Sequence, residues 1–440
     1  MVVGWCARVT LRGVAELVQH YLDRIRAEQI ELRDGALASY IPELANVDPE
    51  GFGLSVSSSD GYVYESGDTA VEFTIQSISK PFTYALALSR LGQDAVDAKI
   101  GVEPSGEAFN EISVDDVTKT PKNPMINAGA IAAVSLIPGA SADERFDHIQ
   151  EFYSACAGRR LEIDPEVYAS EKATGNRNRA IAYMLTSFGV LDGDPDEVLD
   201  VYFRQCSVKV TSTDLARMAA TLARGGLNPL TGRRVVDADV VRRTLSVMVT
   251  CGMYDATGDW VSAVGMPAKS GVGGGIVAVL PGQLGIGVYS PRLDSRGNSV
   301  RGVQVCRNLS SQLGLHFLTV GREASSTLRA VFDVHPGVRV YEVQGDLLFA
   351  GAEQVLRRAE HERDEYDVAV LDVTRTDDIN DAARGMLTGM RAGLTATGKE
   401  AYLVDPDGRV VPPDRRDDYD AVVFRTLDEA VDAALRWGAG

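Results

Sequence analysis

Apolar and polar residues alternate in an early part of the chain. The segment GFGLSVSSSDGYVYESGD, residues 51–68, alternates on both sides of Asp60-Gly61. Because glycine accepts the positive φ that a tight turn requires, this pair predicts a β-hairpin. We expect an edge of a sheet to begin here.

A helical period follows, and then a long helical region. Apolar residues from Ser77 to Leu91 recur at helical spacing, with Gly92 as C-cap. Proline at 81 belongs in a first turn, so the helix should begin at about Ser77. Residues 120–260 are mostly helical in pattern, and GGIVAVLPGQLGIGVYSP, residues 274–291, predicts a second strand hairpin. Strands, then helices, then strands indicate an α/β fold whose sheet combines distant parts of the chain.

The pattern changes near residue 320. Residues 320–327, VGREASST, have no apolar period and predict a linker. Beyond it, the short apolar runs RVYEVQGDLLF, YDVAVLDV and KEAYLVD alternate with helical patterns, which is typical of a small α/β domain. We therefore predict a first domain over 12–318, a linker over 319–332 and a second domain over 333–438.

Composition narrows the range of partners. The chain has 440 residues and a formal net charge of −18, which disfavours binding to nucleic acid or to an anionic membrane surface. The first residues do not resemble a secretory signal, and no apolar run approaches the roughly 20 residues of a membrane span. We expect a cytoplasmic protein without membrane insertion. Its five cysteines are widely and irregularly spaced, which predicts buried thiols rather than a disulfide frame or a zinc site.

Ser77-Ile78-Ser79-Lys80 is an S-x-x-K tetrad at the predicted helix start. The i, i+3 spacing puts Ser77 and Lys80 on one face, where a lysine with a pKa lowered by burial can act as the base that activates a serine. Serine three residues before lysine is common by chance, so a capped helix with a solvated lysine is the competing interpretation.

A second motif strengthens the first. Lys269-Ser270-Gly271 precedes an apolar strand pattern, as the K-[ST]-G element does in penicillin-recognising enzymes. The two motifs in this order predict a β-lactamase/transpeptidase-like domain, an antiparallel sheet with a helical subdomain. The S-D-N element of those enzymes is not evident. Another serine amidohydrolase or a penicillin-interacting enzyme of this fold is therefore an alternative function.

Residues from about Tyr40 to 318 resemble the serine-dependent glutaminases, which hydrolyse L-glutamine to L-glutamate and ammonia. The resemblance is carried by SYIPELA, SGDTAVEFTIQSISKPFTYALAL, EPSGEAFNEI, NPMINAGAI, SEKATGNRNRAIAYML, VYFRQCSVKVT, CGMYDATGDW, PAKSGVGGGI and SPRLDSRGNSVRG. It implies that Ser77 is the nucleophile and Lys80 its base, and that the backbone N–H groups of Ser77 and Val272 form an oxyanion hole. It implies no cofactor or metal, and a homodimer or homotetramer. The implied substrate-binding residues are Tyr40, Asn127, Glu171, Asn178, Tyr202 and Tyr254.

These residue types suit the chemistry of glutamine. Glu171 can pair with the α-ammonium, while the asparagines and tyrosines can donate to the α-carboxylate without adding charge. Tyr254 or Lys80 would protonate the departing ammonia, a choice that stays open. The competing interpretations are a solvated carboxylate at a helix start for Glu171, turn formation for the asparagines, and half-buried packing with a surface hydroxyl for the tyrosines, Tyr202 above all. Asparagine, one methylene shorter, should be a poor substrate.

Residues from about 335 to 435 resemble a STAS domain through VRVYEVQGDLLFAGAEQVL, YDVAVLDVTRTDDINDAARGML and GKEAYLVDPDG. Members that act as anti-sigma-factor antagonists carry a phosphorylatable serine where this chain has Asp381, which puts a phosphorylation switch in doubt. The resemblance implies a regulatory or protein-interaction module, and a stability or assembly appendage is the alternative. A signalling protein built around this domain is a further alternative function for the chain.

Overall fold

The computed structural model describes residues 14–105, 114–115, 117–318, 327–412 and 422–437. The chain divides into two compact units, Asp23–Ser310 and the described part of Met1–Leu22 with Ser311–Gly440. Of the predicted linker, residues 319–326 lie outside the described residues. Residues 328–332 are strand, not linker, because their backbone pairs with that of the following strand. In the described residues no helix is long and apolar enough to cross a membrane.

The first unit is built on a five-stranded antiparallel sheet in the order β2-β1-β7-β6-β5. The strands are β1 (Gly53–Ser58), β2 (Val63–Gly67), β5 (Ala268–Gly271), β6 (Gly275–Leu280) and β7 (Leu284–Tyr289). Both predicted hairpins are confirmed, and β2 is an edge strand. Strand β1 pairs with β7, with Val56 opposite Ile286, so the sheet does combine distant parts of the chain. A second, two-stranded sheet pairs β3 (Phe73–Thr74) with β4 (Lys209–Val210).

The middle of the chain is helical, as its pattern predicts. The helices that lie within the first unit are α2 (Pro42–Ala45), α3 (Ser79–Leu91), α4 (Gln93–Asp97), α5 (Asn127–Ser135), α6 (Ala142–Ala157), α7 (Pro165–Thr174), α8 (Asn176–Ser187), α9 (Pro195–Cys206), α10 (Ser212–Ala223), α11 (Ala238–Cys251) and α12 (Thr257–Ala263). Two further helices cross its limits in sequence: α1 (Val14–Ala27) begins before Asp23, and α13 (Val300–Leu313) ends after Ser310. An Asp-Pro pair begins both α7 and α9, the aspartate accepting from the first backbone N–H groups and the proline taking the first helical position.

Helix α10 packs directly on the sheet. Strand β7 has glycine at 285 and 287, where a Cβ atom would lie 2.2 Å from Ala220 N and 2.0 Å from Ser212 O respectively. The missing side chains let the helix backbone approach the strand, which leaves β1, β6 and β7 buried along their whole length. An apolar core lies among the helices and extends to the sheet through Val277 and Val279.

The second unit contains a five-stranded sheet in the order β12-β11-β10-β9-β8. Its strands are β8 (Leu328–His335), β9 (Val338–Leu347), β10 (Val368–Ile379), β11 (Glu400–Val404) and β12 (Val423–Phe424), and its helices are α14 (Phe349–His361), α15 (Asp381–Thr395) and α16 (Leu427–Trp437). Strands β9 to β12 run parallel and β8 is antiparallel to β9. The predicted alternation of strands and helices is confirmed, since α14 connects β9 to β10 and α15 connects β10 to β11, as parallel neighbours usually require.

Asp381 is the first residue of α15. Its side chain is 95% exposed and pairs with Arg384 at 2.6 Å. The preceding Asn380 caps the helix, with its Oδ1 accepting from Ala383 N at 2.8 Å. The fixed negative charge at this position therefore faces solvent at a helix N-terminus.

Candidate active site

The tetrad serine lies in a tight turn between a short strand and a helix. Strand β3 leads into a 3₁₀ turn, Gln76–Ile78, and α3 begins at Ser79, so the prediction of a helix from Ser77 is wrong by two residues. Gln76 has φ of 50°, a left-handed conformation that non-glycine residues rarely adopt. The strained turn leaves Ser77 partly exposed while its neighbours Gln76 and Ile78 are buried.

Lys80 is fully buried at the start of α3. Its Nζ donates to Asn127 Oδ1 at 2.6 Å and to Met125 O at 3.3 Å. Burial lowers the pKa of this ammonium to about 8, because a low-dielectric environment disfavours the charged form. In roughly a tenth of the molecules the Lys80 amine is then neutral at pH 7. The neutral amine is the form that can act as a general base. The competing interpretation, a solvated lysine, is wrong.

The second motif packs against the serine turn. Lys269-Ser270-Gly271 is the end of β5, an edge strand of the main sheet. A Cβ atom on Gly271 would lie 3.0 Å from Ile75 O, and one on Gly275 would lie 2.7 Å from Ile78 Cδ1. The glycines thus let the strand approach the turn closely. They bring Val272, which is partly exposed, into the same region as Ser77.

Tyr254 connects the two motifs. It begins a short 3₁₀ turn, Tyr254–Ala256, with φ of 56°. Its hydroxyl donates to Ser270 O at 3.0 Å and is also hydrogen-bonded with Ser77. Burial raises the pKa of Tyr254, and the hydrogen bond with Ser77 offsets only part of that rise. The side chain is therefore a neutral phenol that touches the tetrad serine.

A buried carboxylate contacts Gln76, the residue that precedes Ser77. Glu171 Oε1 accepts from Tyr40 Oη at 2.7 Å and from Gln76 Nε2 at 3.2 Å. Burial raises the pKa of Glu171, and these two hydrogen bonds lower it less. No lysine, arginine or histidine in the described part of the chain forms an ion pair with Glu171. The residue lies well inside α7, so the interpretation as a solvated carboxylate at a helix start is wrong.

Two asparagines continue a chain of hydrogen bonds that begins at Lys80. Asn127, which accepts from the ammonium, donates through Nδ2 to Asn178 Oδ1 at 3.0 Å. Asn127 begins α5 without capping it, and Asn178 lies in the first turn of α8. Their side chains are engaged with each other and with Lys80 rather than in local turns. Both are partly exposed and can exchange these bonds for bonds to a ligand.

Tyr202 does not fit the competing interpretation, in which it packs half-buried with its hydroxyl at the surface. It is buried on α9, only 4% exposed, so its hydroxyl does not lie at the surface. Burial raises the pKa of Tyr202, and its hydroxyl is hydrogen-bonded with Cys206 one turn along the helix. Charge interactions with Glu171 and Tyr40 raise the same pKa, so Tyr202 lies near these two residues.

Comparison of the chain with known proteins identifies its family. The family model described as Glutaminase matches residues 35–318. The chain belongs to the glutaminase family. The glutaminase of Microcystis aeruginosa is 52% identical over 304 residues, which cover 69% of this chain and 90% of that protein. The glutaminase of Corynebacterium glutamicum is 43% identical over 393 residues, which cover 89% of this chain and 94% of that protein.

A solved structure extends the likeness beyond the family match. The crystal structure of Mglu in its glutamate form has a TM-score of 0.68 and 41% identity, and covers 89% of this chain and 98% of that chain. The first unit thus has the α/β fold of glutaminases. Of the residues predicted for this glutaminase site, hydrogen bonds connect Ser77 with Tyr254, Lys80 with Asn127 and Asn178, and Tyr40 with Glu171.

Sequence reasoning missed three residues of the candidate site, which are Gln76, Cys206 and Lys269. Gln76 stands in the quoted motif beside Ser77, but its left-handed backbone gives no sequence signal. Cys206 is buried, as predicted for the cysteines, and so are Cys156, Cys251 and Cys306; Cys6 lies outside the described residues. Burial, with a smaller contribution from nearby Glu171, raises the pKa of the Cys206 thiol to about 12. In the sequence, Lys269 is recognisable only as part of the K-[ST]-G motif, without a role of its own, although its amine lies against the Tyr254 ring.

No metal site is formed by the described residues, in which no three His, Cys, Asp or Glu side chains lie close enough together to hold an ion. The chemistry that these residues supply is instead a partly exposed hydroxyl, two buried amines, a neutral phenol and an uncompensated carboxylate.

Proposed function

We propose that this member of the glutaminase family hydrolyses L-glutamine to L-glutamate and ammonia through a γ-glutamyl ester on Ser77. The proposal rests chiefly on Glu171, a buried carboxylate that accepts two hydrogen bonds and has no cationic partner in the described structure. A buried charge without a counter-charge is costly, and an α-ammonium is the partner that would compensate it. Gln76 joins this carboxylate to the turn that carries Ser77.

Acylation uses the groups around Ser77. Neutral Lys80 takes the hydroxyl proton while Ser77 Oγ bonds to the amide carbon of glutamine. The backbone N–H groups of Ser77 and Val272 donate to the oxygen that becomes negative. The carbon–nitrogen bond then breaks, and the nitrogen leaves as ammonia with a proton from Tyr254 or Lys80. Water attacks the ester in the second half-reaction and restores the serine.

Recognition uses the remaining residues. Glu171 binds the α-ammonium, with Tyr40 and Gln76 holding the carboxylate in place. Asn127, Asn178 and Tyr202 donate to the α-carboxylate without adding charge. A site that pairs both α groups discriminates against analogues that lack one of them, because its own buried polar groups stay unpaired. Asparagine places its amide one methylene short of the oxyanion donors.

The test is ammonia and glutamate release by the purified full-length protein. We expect release from glutamine, little from asparagine, and a loss of at least about a thousandfold in Ser77→Ala. Lys209→Met, which removes an exposed lysine paired with Glu72 at 2.8 Å, is the control and should keep full activity. Acylation by a penicillin without glutamine turnover would instead favour the other enzymes of this fold.

We also propose that residues 333–438 form a STAS-type regulatory or protein-interaction module. Support comes from the sequence motifs, the mixed sheet with its crossover helices, and the exposed Asp381 at the N-terminus of α15. A chain that ends after residue 321, compared with the full chain in sizing and activity, tests this role. A change in activity supports the module, a change in assembly alone supports an assembly appendage instead, and identical behaviour in both contradicts the module. The predicted homodimer or homotetramer and the cytoplasmic location stay predictions.

A further inference from the structure

Lys269 is a second fully buried lysine in the candidate active site. It lies in β5, and its Nζ donates to Ser270 O at 2.9 Å. No acidic side chain among the described residues forms an ion pair with it. Burial lowers the pKa of Lys269 well below its ordinary value, and repulsion from Lys80 lowers it further. A buried amine is costly to maintain, and an apolar side chain would fill this position more cheaply.

The amine is held against Tyr254. Lys269 Nζ lies 3.8 Å from the centroid of the Tyr254 ring, within the range of an amine–aromatic contact. The same backbone oxygen, Ser270 O, accepts from both Lys269 Nζ and the Tyr254 hydroxyl. Lys269 thus contacts the tyrosine in two ways, directly at the ring face and through the carbonyl that its hydroxyl binds.

Tyr254 needs such support. Its φ of 56° lies in the left-handed region, which costs energy for any residue other than glycine and persists only where the surroundings hold it. Its hydroxyl touches Ser77, so a small rotation of the ring would change the distance between a proton donor and the reacting atoms. Misplacing a catalytic group by about 1 Å can reduce the rate a hundredfold.

We propose that Lys269 is a positioning residue that fixes the Tyr254 hydroxyl against Ser77, through its contact with the tyrosine ring and its hydrogen bond to Ser270 O. The inference rests on the proposed function, and of its two proton donors it takes Tyr254, rather than Lys80, as the group that acts on the departing nitrogen. It predicts that Lys269 affects turnover through Tyr254 and leaves recognition of the α groups by Glu171 unchanged.

A double-mutant cycle tests the dependence. Lys269→Met keeps the length of the side chain without its amine, and Tyr254→Phe keeps the ring without its hydroxyl. We expect Lys269→Met to lower kcat about tenfold to a hundredfold, with the affinity for glutamate, measured by calorimetry, within about threefold of the parent. In a Tyr254→Phe background the same change should lower kcat less than about threefold, because the hydroxyl to be positioned is absent.

Other outcomes overturn the inference. Effects that multiply fully in the double variant would mean that Lys269 acts independently of Tyr254, and an unchanged kcat in Lys269→Met would mean that it does not act. A pH profile of kcat separates positioning from proton transfer, since a positioning residue changes the height of the profile and not its shape. If Lys269→Met and Lys269→Gln both fail to unfold cooperatively while Lys209→Met does so normally, Lys269 has a stability role and the inference fails.

Failure of the proposed function has a different signature. Glutamine turnover that survives Ser77→Ala contradicts the acyl-enzyme and leaves Lys269 without a reaction to support. Turnover that is lost in Ser77→Ala but unchanged in Lys269→Met contradicts only the positioning role.

Discussion

Gln76 Nε2 lies 3.2 Å from Glu171 Oε1, and this hydrogen bond joins the residue before the tetrad serine to a carboxylate 95 positions away. The pair couples two tasks of the candidate site. The turn that presents Ser77 to the substrate amide is fixed to the group that would bind the ammonium at the opposite end. The strained backbone of Gln76 is held in part by the same side chain, which also contacts Tyr40 and Thr74.

Replacing Gln76 with leucine should weaken substrate binding. Gln76→Leu keeps much of the volume but removes a hydrogen bond to a charged carboxylate, which is worth about 1.5 to 3 kcal/mol. We expect KM for glutamine to rise about tenfold to a hundredfold, with a smaller change in kcat. Steady-state kinetics check this, and Gln93→Leu, an exposed glutamine on α4, is the control. Unchanged KM in Gln76→Leu would contradict a role for Gln76 in holding Glu171.

KM should depend on pH through Glu171. Burial raises the pKa of this carboxyl, so it protonates on acidification earlier than an ordinary glutamate does. Because only the ionised form pairs with an ammonium, KM should rise as pH falls through that raised pKa. Tyr40 and Gln76 lower the pKa by hydrogen bonding, so Tyr40→Phe and Gln76→Leu should move the rise in KM to higher pH.

The control for this titration is Glu171→Gln. Its KM should be high and independent of pH, since the titrating group is gone. A pH-dependent KM that persists unchanged in Glu171→Gln would assign the titration to another residue.

The rate should increase with pH through Lys80. Burial lowers the pKa of Lys80 to about 8, and only the neutral amine can accept the Ser77 proton. We expect kcat/KM to rise about tenfold per pH unit below 8 and to level off above it. Profiles from pH 6 to pH 9.5 measure this. A flat or falling profile between pH 6 and pH 8 would argue against neutral Lys80 as the base.

A glycine substitution tests how the sheet supports the site. In Gly287→Ala the new Cβ would lie 2.0 Å from Ser212 O and 2.7 Å from Ala216 N, both backbone atoms of α10. We expect overpacking to lower the free energy of unfolding by about 1 to 3 kcal/mol, measured by urea denaturation. Gly258→Ala is the matched control, because nothing lies within 4 Å of its added Cβ. Equal stability of the two variants would contradict the close packing of α10 on β7.

Local sequence signals anticipated the elements whose determinants are local. The Asp60-Gly61 hairpin, the β6–β7 hairpin and the alternation of the second unit follow from turn residues and periodicity. Helix α3 begins at Ser79 rather than at the predicted Ser77 because Gln76 adopts a left-handed conformation. Hydrogen bonds with Tyr40 and Glu171 hold Gln76 in that conformation. The start of β8 lies inside the predicted linker because pairing with β9, rather than an apolar period, defines it.

In the candidate site, too, the sequence predicted what motifs carry and missed what tertiary contacts determine. Motif resemblance supplied Ser77, Lys80 and Glu171, and the structure places each of them in a network of hydrogen bonds. Contacts across long separations in sequence, such as Gln76 with Glu171, could not be predicted, because no single-sequence pattern encodes them. The stacking of Lys269 on Tyr254 depends likewise on how β5 approaches a short 3₁₀ turn.

The covalent intermediate on Ser77 is the central claim, and peptide mapping tests it most directly. The full-length protein is mixed with glutamine, quenched in acid within the first turnovers, digested and analysed by mass spectrometry. Our account predicts a mass increase equal to one γ-glutamyl group on the peptide that contains Ser77, and none on that peptide from Ser77→Ala. The same adduct on another residue, with ammonia release surviving in Ser77→Ala, would contradict it.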